Sequence, residues 1–100
     1  MPLNEEILMN GAEYCLVTNA NEIGDADFVY EIKRDKSEED ICAIISSICK
    51  SLKIGTGSVY VKYENGAFVI LNNNAIVGRA VTYDKSMTTL IRFYFESKYR

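Results

Sequence analysis

The chain has 100 residues, 48% of them hydrophobic and 25% charged, with a net charge of −3 and no histidine. That length and balance fit one globular domain with a single core. The lack of histidine excludes histidine-based acid–base catalysis and most zinc sites. No apolar run approaches the roughly 18 residues of a membrane span, and the acidic start, Met1-Pro2-Leu3-Asn4-Glu5-Glu6, does not read as a signal peptide, so the expected address is the cytoplasm.

Residues 3–9 predict a short leading helix, with Asn4 as its cap and Gly11 as its stop. Residues 12–19 alternate as a strand, with Tyr14, Leu16 and Thr18 on one side and Cys15 and Val17 on the other. Residues 19–25 carry turn chemistry. A second strand follows over residues 27–33. Phe28, Tyr30 and Ile32 face one way; Val29, Glu31 and Lys33 face the other.

The clearest helix spans residues 38–52. Ser37 is a good cap, and Glu38, Glu39 and Asp40 set negative charge on the positive end of the dipole. Ile41, Ile44, Ile45, Ile48 and Leu52 make one apolar stripe, and Gly55 is the expected stop. Three strands come next. Asn65-Gly66 is a strong hairpin signal, because both residues tolerate positive φ. A two-residue turn there pairs Tyr63 with Phe68, Val61 with Ile70 and Val59 with Asn72 on the core face. Tyr60, Lys62, Glu64, Ala67, Val69 and Leu71 lie on the other, mixed face, which should be half covered. Asn72-Asn73-Asn74 marks a second turn, and Gly78 within residues 75–83 marks a bulge or a close backbone approach.

Residues 86–100 fit two periods. Met87, Leu90, Ile91, Tyr94 and Phe95 fit a helix; Thr89, Ile91, Phe93 and Phe95 fit a strand. Asp84 and Ser86 would cap a helix, and a helix is the expectation. The predicted order is β-β-α-β-β-β-α: a single α+β domain, with a five-stranded, mostly antiparallel sheet, a long middle helix and a C-terminal helix.

No stretch carries a reaction. Cys15, Cys42 and Cys49 have no CxxC spacing, and the last two, seven apart on one helix, are too distant for a disulfide; all three read as buried thiols. Glu38-Glu39-Asp40 is explained by the helix dipole, and Glu22, Asp25 and Asp27 lack the spacing of a calcium loop. Gly55-Thr56-Gly57-Ser58 follows a helix instead of preceding one, so it is no phosphate loop. Neither an enzyme nor a bound cofactor or metal is expected.

Residues 1–50 hold eleven acidic and four basic side chains; residues 51–100 hold three and seven. Either the fold interleaves the halves, or it presents two oppositely charged faces. Residues 57–66, GSVYVKYENG, resemble the aromatic strand of an RNA-recognition motif, and LNNNAIVGR resembles its last loop and strand. The acidic chain and the lack of room for a helix between Tyr63 and Leu71 argue against nucleic acid.

In order, YCLVTNANEIGDADF, SEEDICAIISSICKSLKIGTG and SVYVKYENGAFVILNNNAIVGRAVTYDKSMTTLIRFYFE resemble the Roadblock / dynein light chain family: its first hairpin, its middle helix, and its meander with closing helix. The resemblance implies a non-enzymatic scaffold that forms a homodimer, or pairs with a paralogous subunit, and binds a small Ras-like GTPase or a motor or cargo subunit. It also implies an interface of Val59, Tyr60, Val61, Lys62 and Tyr63 joined edge to edge, with Ala43, Ser46, Cys49 and Lys50 from the middle helix. Edge physics agrees, since Lys62 is the lone charge guarding that strand. The other readings are a single-stranded RNA-binding domain and a small viral or mobile-element inhibitor of a host complex.

Overall fold

The computed structural model describes residues 4–18, 24–57 and 59–99. Within them, α1 spans Asn4–Met9, β1 Cys15–Leu16, β2 Phe28–Lys33, α2 Glu38–Ser51, β3 Tyr60–Glu64, β4 Ala67–Asn72, β5 Ala75–Asp84 and β6 Thr88–Phe95, with a 3-10 turn at Ser97–Tyr99. All six strands lie in one antiparallel sheet, in the order β1-β2-β6-β5-β4-β3. The chain is therefore α+β, with a crossover through α2 carrying it from β2 to the far edge at β3. No helix of the described residues is long and apolar enough to cross a membrane.

The closing element corrects the sequence reading. Residues 86–95 contain no helix; Thr88–Phe95 is a strand, and it is central, held between β2 and β5. The sheet thus has six strands where five were expected, and the C-terminal helix shrinks to one 3-10 turn. Tertiary pairing decides the ambiguity, because β6 satisfies its backbone on both sides at once. The residues expected to cap a helix do other work. The Asp84 carboxylate accepts the Thr89 hydroxyl at 2.7 Å and lies 4.0 Å from Arg34, whose guanidinium also donates to the Ser86 carbonyl at 3.3 Å.

Helix α2 forms for the reasons its sequence gives. The Ser37 hydroxyl accepts the Asp40 N–H at 3.1 Å, and Ile41, Ile44, Ile45 and Ile48 are buried along one stripe. Its stop is one feature earlier than expected. Lys53 takes the left-handed conformation at φ 59, its N–H reaches the Lys50 carbonyl at 3.1 Å, and the Ile54 N–H reaches Cys49 at 3.0 Å. That pair of bonds is a Schellman cap, with the buried Ile54 as its apolar clasp. Gly55 instead makes room for Asn72: a Cβ there would lie 2.8 Å from the Asn72 carboxamide. Asn72 is buried and holds the loop in both directions, accepting from Thr56 N–H at 3.3 Å and donating to the Thr56 carbonyl at 3.1 Å.

The stripe of α2 packs on one face of the sheet. Tyr30, Ile32, Phe68, Ile70, Ala80, Ile91, Phe93 and Phe95 supply that face. Helix α1 packs against β1 and β2 and buries Leu8. A smaller cluster of Val17, Ala26, Val29 and Leu90, with Tyr94 beside it, forms a second core. Val29 and Leu90 are opposite in alternation to Tyr30 and Ile91, so this second core lies on the other side of the sheet. Gly78 fulfils both expectations. The register shifts between Ile70 and Leu71, leaving Val77 as the extra residue of a bulge, and a Cβ on Gly78 would meet Phe95 Cδ1 at 2.6 Å.

Candidate interaction surfaces

Strand β3 is an outer strand of the sheet, and its geometry follows from its turn. Asn65 and Gly66 sit at φ 52 and 83, the pattern of a type I′ hairpin turn, and Glu64 pairs with Ala67. The pair flanking such a two-residue turn is hydrogen-bonded, and bonding alternates from there. Tyr60, Lys62 and Glu64 therefore bond to β4. Val61 and Tyr63 turn their N–H and C=O outward, away from the sheet.

The side chains of this edge are exposed or half-buried. Tyr60 is 65% exposed, Tyr63 is exposed, and Val59 and Val61 are half-buried against the α2 core. Lys62 and Glu64 stand 3.0 Å apart as an ion pair, so the edge carries no net charge. Ser58, which precedes Val59 in the chain, lies outside the described residues.

The four expected helix residues differ in burial. α2 lies close to β3. Cys49 is wholly inside the core that α2 shares with the sheet. Ala43 lines a cavity of about 250 Å³ with Gly11, Ala12, Lys33 and Ser47, on the flank facing the α1–β1 connection. Lys50, two turns on from Ala43, continues the same line and is exposed, while Ser46 is half-buried. The strand residues thus gather along one edge, and Ala43, Ser46 and Lys50 share one face of α2, while Cys49 turns into the core.

Other sequence candidates have structural duties. One Asp27 carboxylate oxygen accepts the Phe95 N–H at 2.7 Å, tying the start of β2 to the end of β6. Glu22 lies outside the described residues, and among those described no group of three or more acidic, histidine or cysteine side chains could hold a metal ion. Burial pushes the Cys49 thiol up to about 12. Burial also raises Cys15, helped by Glu31, and raises Cys42, helped by Glu38 and Glu39. A thiol held protonated is a poor nucleophile.

One feature was not singled out from the sequence, and another was read there only over β3 and β4. Glu31 is 4% exposed, accepts the Thr88 hydroxyl and lies 3.8 Å from the Lys85 ammonium, which clamps β2 to the β5–β6 hairpin. The second is the sheet face opposite α2. Register places Lys62, Val69, Arg79 and Tyr94 in one cross-strand row, and Val81 beside Arg92 in the next. The signal was present as the alternation Arg79-Val81-Tyr83, but its partners Arg92 and Tyr94 belong to β6, which reads as a helix in sequence. No family model matches the chain, and neither the curated proteins nor the solved structures contain a match to it.

Proposed function

We propose that the protein is a non-enzymatic interaction module that dimerises by antiparallel pairing of two β3 strands, so that the sheet continues from one copy into the other. The observation that carries this reading is the open β3 edge: outward N–H and C=O groups at Val61 and Tyr63, flanked by an ion pair that cancels its own charge. An edge of this kind, with no proline, no bulge and no net charge, is a template for strand addition, and pairing with a copy is the orderly way to fill it. The other outer strand, β1, is only two residues long and offers little to pair with.

Side-chain pairing favours one register. Centring the two strands on Val61 sets Lys62 opposite Tyr60 of the other copy, a cation–aromatic pairing; centring them on Lys62 would oppose two lysines. The small Ras-like GTPase, or the motor or cargo subunit, implied by the family resemblance is the partner class that such a dimer would recruit. Light scattering at micromolar concentration tests the reading: a particle of twice the chain mass supports it, and a monomer refutes it.

A further inference from the structure

The face of β3–β6 turned away from α2 is built unlike a plain solvent face. An antiparallel sheet with one wet side alternates apolar in and polar out. Here the outer positions include Tyr60, Val69, Leu71, Val81, Tyr83 and Tyr94, and Tyr83 is 57% and Val81 37% exposed. Three cations, Lys62, Arg79 and Arg92, stand among them, against two carboxylates, Glu64, which pairs with Lys62 at 3.0 Å, and Glu96 at the rim. The Arg92 guanidinium lies over the Tyr83 ring, 5.3 Å from its centroid, and its buried Nε has no hydrogen-bond partner among the described residues. At one end, Val69, Arg79, Tyr94, Glu96 and Ser97 line a groove of about 570 Å³.

We infer that this face is a docking platform for a second protein that presents carboxylates beside aromatic or aliphatic side chains. Charge complementarity selects that partner. The face carries a net positive charge on a chain whose net charge is −3. Its cations attract acidic groups locally, and they are few and interleaved with Val69, Leu71 and Val81, whereas a nucleic-acid surface needs a concentrated basic patch. Arginine and tyrosine are also the residues enriched at the energetic centres of protein interfaces. Arg92, held over the Tyr83 ring, adds a fixed positive charge to the face. The inference does not rest on the β3 seam: Arg79, Tyr83 and Arg92 lie on β5 and β6 and are whole in a single copy, with Tyr60 and Lys62 at the border of the two surfaces.

The test is an NMR titration of the intact chain with a soluble glutamate–tyrosine copolymer, with twelve-residue oligouridylate as a second arm. The platform predicts saturable shifts at Tyr60, Arg79, Tyr83 and Arg92. Binding should weaken by about tenfold in the double variant Lys62→Glu, Arg79→Glu, and stay unchanged in Glu39→Lys on the far side. Circular dichroism of the double variant should match wild type, because both substituted side chains are exposed. Absence of copolymer binding, shifts confined to other surfaces, or equal binding by the double variant would each overturn the inference. Stronger shifts of the same resonances by oligouridylate would overturn it too, in favour of a nucleic-acid surface.

Discussion

Gly78 lies directly opposite Phe95, so close that a methyl group on Gly78 would sit 2.6 Å from the Phe95 ring and 2.8 Å from the Tyr94 carbonyl. The glycine is required by contact, since its φ is not in the left-handed range. Gly78→Ala should therefore destabilise the fold by about 1–3 kcal/mol through overpacking against a central strand. Chemical denaturation reads the change. A neutral result would mean that the β5 bulge can slide to absorb the methyl.

Lys53 invites the reverse experiment. It holds the Schellman cap of α2 at φ 59, a conformation that costs a residue with a Cβ about 1–2 kcal/mol. Lys53→Gly should stabilise the protein by about 0.5–1 kcal/mol once the greater freedom of glycine in the unfolded chain is subtracted. A rise in denaturation midpoint at unchanged slope would show it.

How far the sequence carries is clearest in three elements. Helix α2 and the β3–β4 register are legible because local chemistry specifies them: a Ser37 cap, an isoleucine stripe, an Asn-Gly turn. Strand β6 is not legible. It is central and has apolar residues on both faces, Ile91 and Phe93 toward α2 and Leu90 toward the smaller core, so its alternation is masked and a helical period fits equally well. The dimension of the candidate platform was hidden with it, because Arg92 and Tyr94 face outward only if residues 88–95 are extended. Cys49 carries two readings in the sequence, a buried thiol and an interface residue of the middle helix, and the structure buries it completely beside the isoleucine stripe.

Cys49 gives a pH-dependent expectation. Its thiol is pushed up from 9.0 to about 12 by burial, while in the unfolded chain it would ionise near the ordinary value. Between those limits the unfolded chain loses a proton that the folded chain keeps, so its contribution to stability is intact below about pH 9 and declines as pH rises toward 12, by about 1.4 kcal/mol per pH unit at most. Thermal melts in Cys49→Ala and wild type across that range would reveal the difference in slope. At neutral pH a thiol reagent should label Cys49 only after denaturation.

The β3 edge offers the most direct test of the central claim. Proline at position 61 removes an N–H that points away from β4, so the monomer can tolerate it, but a strand adding to that edge cannot. Sedimentation velocity of wild type and Val61→Pro, at equal micromolar concentration and with matching circular dichroism, separates the two effects. The account predicts a wild-type dimer and a folded Val61→Pro monomer. A wild-type monomer, or a dimer that survives Val61→Pro with the fold intact, would contradict it.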